Sequence, residues 1–241
     1  MGVELRVFTE PDELGAALAD EVLAGVAARP DAFLLGCPGG RSLRSTYRAL
    51  AERRDELSNV VVLMMDEYVA DGAGVAADAH YSCTRFALHE IAAPLGIPAR
   101  NVWLPDPHDP AAYDERIAAA GGVDLFLLAS GASDGHVAFL APGSPRAGRT
   151  AVVDLAASTR RDNLVTFPGF ASLDEVPLQG VSVGLATIAG AKAVRLVLHG
   201  ADKRAAAARL LALDRFDPQW PASIVYDCRD AAILVDRAAL P

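Results

Sequence analysis

The stretch AFLLGCPGGRS, residues 32–42, decides the fold class. Ala32, Phe33, Leu34, Leu35, Gly36 and Cys37 form an apolar run of strand length. Pro38, Gly39 and Gly40 break it, and helical spacing begins at Arg41 and Ser42. A continuously apolar strand belongs in a sheet buried on both faces, and one that feeds directly into a helix is the unit of a parallel α/β sheet. The same alternation recurs outward from this point. Strands are predicted at 32–37, 60–65, 124–129, 181–185, 194–199 and 231–235, and helices at 42–53, 80–91, 110–120 and 202–213. Before them, Leu14, Leu18, Val22 and Val26 fall at i+4 steps behind Thr9 and Asp12, which predicts a capped amphipathic helix. The expectation is one α/β domain over residues 1–241, with a largely parallel sheet. Only 146–177 lacks a period; its scattered Ser, Thr, Arg, Gly and Pro read as a mobile lid or a surface excursion.

Composition narrows the function. With 52% hydrophobic residues and mean hydropathy +0.23, the 241-residue chain can bury a substantial core. Its 22 Lys and Arg against 31 Asp and Glu give a net charge of −9, which argues against a nucleic-acid partner while leaving room for a small anion met by a few converging cations. MGVELRVF lacks the basic and apolar parts of a targeting peptide, Arg6 breaks a myristoylation pattern, and no stretch is long and apolar enough to span a membrane. Cys37, Cys83 and Cys228 are isolated, without disulfide or metal-ligand spacing. These features predict a reduced, cytoplasmic, soluble protein, with a homo-oligomer left open.

Chemistry-bearing residues collect after the strands. The 36–42 turn places backbone N–H groups at a helix start, an anion-binding arrangement, though an ordinary strand-to-helix turn has the same sequence. It matches neither the P-loop spacing nor GxGxxG. Arg41 opposes the helix dipole there, which makes sense if an anion is bound. Lys203 repeats the pattern after strand 194–199, or is simply a surface lysine beside Arg204. Asp66 and Glu67 follow strand 60–65, so one of the two carboxylates is expected to point into the crevice at the strand ends as a general base, the alternative being an N-cap or turn aspartate of the kind common after strands. Asp134, Gly135 and His136 follow strand 124–129 and suit proton transfer near neutral pH, the carboxylate fixing the imidazole tautomer or holding a substrate hydroxyl. His80, His89, His108 and His199 read as structural or surface residues. No metal-ligand spacing is present.

From Phe33 to about Ala239, the chain resembles the glucosamine-6-phosphate deaminase (isomerase) family, whose relatives include the 6-phosphogluconolactonases. The carrying segments are GCPGGRSLRSTYRAL (36–50), MDEYV (65–69), HYSCTRF (80–86), DLFLLASGASDGHVAFLAPGS (124–144) and WPASIVYDCRDAAILVD (220–236). The resemblance implies a modified doubly wound α/β fold, and conversion of glucosamine 6-phosphate and water to fructose 6-phosphate and ammonia without a metal or organic cofactor. It implies that Asp66 moves a proton between C2 and C1 of the open-chain sugar. His136 assists ring opening, with Asp134 in the same hydrogen-bonded network. The loop Gly39, Gly40, Arg41 and Ser42, together with Lys203, holds phosphate. Tyr68 stands where lactonases carry arginine. Departures from the family pattern are Gly39 and Arg41 within the loop, Ala141 in place of a glutamate, and Val165 in place of a phosphate-binding arginine, with Arg160 and Arg161 nearby. The Leu140, Ala141, Pro142, Gly143 run leans toward the lactonases. The alternatives are therefore a lactonase-like hydrolase, in which His136 activates water, and a non-catalytic sugar-phosphate-binding protein.

Overall fold

A computed structural model describes residues 2–241. Its elements in chain order are β1 (Glu4–Phe8), α1 (Pro11–Ala27), β2 (Phe33–Cys37), α2 (Arg44–Ala51), β3 (Val60–Met64), β4 (Asp66–Ala70), β5 (Ala73–Gly74) and α3 (Cys83–Phe86), which runs on as a π-helical turn. Then come β6 (Val102–Trp103), α4 (Pro110–Ala119), β7 (Leu125–Ala129), β8 (Ala151–Asp154), α5 (Ala157–Thr166), β9 (Gln179–Ser182), α6 (Leu185–Ala189), β10 (Ala193–Leu198), α7 (Arg204–Leu211) and β11 (Ala231–Asp236).

Seven strands form the central sheet in the order β1-β11-β10-β7-β2-β3-β6, and every pairing is parallel. Successive side chains enter opposite cores. Phe33, Leu35, Val60, Val62, Leu125 and Leu127 pack with α1 and α2 on one face. Leu34, Val61, Leu63, Phe126 and Leu128 pack with Tyr113 of α4 and Leu210 of α7 on the other. Burial of both faces is the reason these strands are apolar without interruption. The doubly wound arrangement read from the sequence is the one observed.

A second sheet departs from that reading. Of the strand expected at 181–185, only Val181 and Ser182 are in a strand, the end of β9, which pairs antiparallel with β4 and β8 in a four-stranded sheet of order β5-β4-β9-β8. Val181, Val183 and Leu185 are all buried, but Val183 follows the strand and Leu185 opens α6: a short apolar run records burial without specifying the element. β4 leaves the end of β3 one residue later, so MDEYV is itself a strand and not a loop. The irregular stretch 146–177 contains β8 and α5. β1 went unpredicted because its alternating Leu5 and Val7 are exposed on an edge strand.

Helix starts also shift. The first helix begins at Pro11 with Glu10 at its N-cap, so neither Thr9 nor Asp12 caps it; instead the Thr9 N–H donates to Glu13 Oε2 at 2.7 Å. Arg41 and Ser42 precede α2, which starts only at Arg44, and Lys203 ends a 3₁₀ turn before α7. These three residues therefore lie in turns leading to helices and not in the first helical turns expected for them. Gly40 requires such a turn, with φ of +87°.

Candidate active site

β10, β7 and β2 are adjacent, so the loops leaving their carboxyl ends emerge side by side, as ligand-binding loops do in open parallel sheets. With β4 and α5 they enclose a cavity of about 630 Å³. Gly39, Gly40, Arg41, Ser42, Asp66, Tyr68, His136 and Lys203 all line it. Asp134 does not; it stands behind His136.

The loop after β7 is shaped by Gly135, whose φ is +67° and above which the Trp220 ring lies where a Cβ would be 2.3 Å away. Any side chain there would push His136 out of place. Asp134 Oδ1 accepts from His136 Nδ1 at 2.8 Å and from the His136 backbone N–H at 3.1 Å, while Oδ2 accepts from the Ser158 hydroxyl. Burial would raise the Asp134 carboxyl, but the His136 and Ser158 hydrogen bonds and the histidine's charge outweigh it and hold the group below the usual range. An ionised carboxylate only accepts, so Nδ1 carries the proton and Nε2 is left as the basic atom of the neutral ring.

The two neighbouring carboxylates divide as strand alternation dictates. Glu67 turns away from the cavity and accepts five hydrogen bonds: from the backbone N–H groups of Tyr68 (2.9 Å), Cys83 (2.9 Å) and Thr84 (2.8 Å), and from the hydroxyls of Ser82 (3.0 Å) and Thr84 (2.7 Å). It ties the start of α3 to β4. Asp66 faces the cavity, is 7% exposed, and accepts from the Cys83 thiol at 3.4 Å. Burial, with Glu67 adding repulsion, pushes its carboxyl up to about 7, against the opposing effects of Cys83 and His136. Tyr68 is fully buried between Phe139 and Tyr81, and its hydroxyl has no partner among the described residues.

The far end of the cavity is cationic. Lys203 Nζ donates to the Ser130 carbonyl at 2.8 Å, which leaves two of its three donors for a ligand; burial lowers its pKa. Arg41 is exposed and makes no ion pair among the described residues. Val165 lines the cavity without a charge to contribute, and Arg160 does not replace the arginine expected near it, because its guanidinium donates to the carbonyls of Leu173 and Val176. Nor does Arg161 line the cavity.

His199, read as a structural or surface residue, lines the cavity, and its Nε2, 3.0 Å from the Ser42 carbonyl, braces the 38–42 turn. Cys83, Ser158, Thr159, Asp162 and Asn163 were not singled out from sequence. The last four lie on α5, in the stretch without a readable period, and the Cys83 thiol carries no pattern of its own.

Residues 9–234 match the family described as glucosamine-6-phosphate isomerases/6-phosphogluconolactonase, and the chain belongs to it. Among its members, the glucosamine-6-phosphate deaminase of Shouchella clausii (strain KSM-K16) is 31% identical, over 98% of this chain and 95% of that protein. That of Beutenbergia cavernae is 36% identical, over 98% and 91%. The solved structure of a monomeric glucosamine-6-phosphate deaminase superposes with a TM-score of 0.88 at 27% identity, covering 98% of each chain. A 6-phosphogluconolactonase from Leishmania guyanensis shares the fold, with a TM-score of 0.75 at 20% identity over 99% of this chain and 98% of that one.

Proposed function

We propose that this chain catalyses the isomerising deamination of a hexosamine 6-phosphate, glucosamine 6-phosphate and water giving fructose 6-phosphate and ammonia. The observation that carries this reading is Asp66, a buried carboxylate that desolvation pushes up to about 7, in the cavity lined also by His136, behind which Asp134 stands. Hydrolysis of a lactone needs one base to activate water. Isomerisation of a cyclic sugar needs two groups, one to open the ring and one to move a carbon-bound proton. His136 Nε2 transfers the proton that opens the ring. Asp66 takes the C2 proton of the open-chain aldehyde, giving an enolamine, and returns a proton to C1; water then hydrolyses the C2 imine to the ketone and releases ammonia. The naming of the relatives as glucosamine-6-phosphate deaminases supports the same reading.

The direct test incubates the purified protein with glucosamine 6-phosphate and, separately, with 6-phosphogluconolactone. Ammonia from the first without acid from the second is expected; the reverse result would replace the deaminase by a lactonase.

Phosphate is assigned to the N–H groups of Gly40 and Ser42, the Arg41 side chain and Lys203. Because Arg41 makes no ion pair among the described residues, Arg41→Ala is a clean deletion. Loss of a charge-assisted phosphate contact, roughly 1.5–3 kcal/mol, should raise KM at least about tenfold and weaken inhibition by inorganic phosphate, with kcat nearly unchanged. An unchanged KM would remove Arg41 from the site.

The base must be ionised to accept a proton, so kcat should rise with pH through about 7, the value to which burial pushes Asp66. The Cys83 thiol stabilises the ionised form, so Cys83→Ala should move this limb to higher pH. A limb that stays in place in the variant would show that the titrating group is not Asp66.

A further inference from the structure

The Asp134–His136 pair is not self-supporting, and the group that completes it lies on a different element. Asp134 Oδ1 is occupied by two donors from His136, and the orientation of the carboxylate is set at Oδ2, where the one donor among the described residues is the Ser158 hydroxyl in the first turn of α5. Thr159, buried beside it, brings its hydroxyl to 3.4 Å from His136 Nδ1. A carboxylate held at both oxygens has one rotamer, and the imidazole hydrogen-bonded to it has one ring plane. We propose that Ser158 is a positioning residue for the acid–base pair: it fixes Asp134, and through it aims Nε2 of His136 into the cavity. The catalytic part of this inference rests on the deaminase reading; the structural part does not.

The location of Ser158 has a consequence for the site. The same helix walls the cavity through Asp162, Asn163 and Thr166, so the hydroxyl that orients the pair and the wall that meets a ligand belong to one rigid element. The charged groups that act on the pair are Asp66 on β4 and Lys203 before α7, and neither donates a hydrogen bond to Asp134 Oδ2. Lys203 donates to the Ser130 carbonyl and makes no hydrogen bond to Asp134.

Two measurements on full-length protein test the proposal. In the ligand-free wild type, the His136 Nδ1–H, hydrogen-bonded to a carboxylate, should give a downfield, exchange-protected proton resonance on the ¹⁵N-labelled ring. In Ser158→Ala it should broaden or vanish, and in Ser158→Thr, which keeps the hydroxyl, it should persist. In turnover of glucosamine 6-phosphate, Ser158→Ala should lower kcat about tenfold with KM within about twofold, and Ser158→Thr should restore most of the loss. A Ser158→Ala protein that keeps the wild-type resonance overturns the proposal, as does one that loses activity through KM alone. If the wild type releases no ammonia, the deaminase reading fails, and the resonance still decides whether Ser158 orients the pair.

Discussion

Asp66→Asn is expected to lower kcat on glucosamine 6-phosphate by about 10²–10⁴-fold, the usual contribution of a general base, and to abolish exchange of the C2 hydrogen with heavy water. Asparagine matches the carboxylate in shape and can still accept from Cys83, so the fold and the cationic end of the cavity should be undisturbed and KM should change little. The argument is geometric first. β4 starts at Asp66, where the chain leaves β3, and brings the carboxylate to the cavity wall inside an apolar surround. That desolvation raises its proton affinity to a range useful for removing a carbon-bound proton near neutral pH. Full exchange in Asp66→Asn, together with its loss in His136→Ala, would move the base to the loop after β7 and favour the lactonase alternative.

Glu67→Ala should act on stability and not on chemistry. Five donors converge on this carboxylate in a region where it is 5% exposed, and alanine leaves the Cys83 and Thr84 N–H groups unsatisfied at the start of α3. Stranding buried donors of a charge-assisted cluster costs about 3 kcal/mol or more. For a domain of this size that corresponds to a Tm lower by about 6–12 °C in calorimetry. A Tm within about 2 °C of wild type would mean that water replaces the carboxylate without cost, and that Glu67 is not what anchors α3. The contrast between these neighbours also separates the tests: Asp66→Asn should keep its Tm and lose turnover, whereas Glu67→Ala should lose Tm first.

Much of this protein was readable before its structure. The uninterrupted apolar runs at Phe33–Cys37, Val60–Met64 and Leu125–Ala129 required a sheet buried on both faces, and the residues that follow them placed Gly40, Asp66 and His136 at one sheet edge. The pairing of Asp134 with His136 was readable because the two are separated by a single glycine, and local spacing limits what such side chains can reach. The second sheet was not readable: β9 reads Gln179, Gly180, Val181, Ser182, with a single large apolar residue, and its backbone partners lie on β4 and β8, remote in the chain.

By itself, then, the sequence determined the parallel α/β architecture, the family, and which strand ends line the cavity, because each depends on contacts between residues near in the chain or on apolar periodicity. Only the tertiary structure decided that Glu67 caps α3 while Asp66 faces the cavity, that Arg160 is committed to carbonyls of Leu173 and Val176, and that Ser158 completes the histidine pair from 24 residues away. Each of those assignments is a hydrogen bond between elements remote in sequence. Its partner is selected by how the elements pack, which no local pattern encodes.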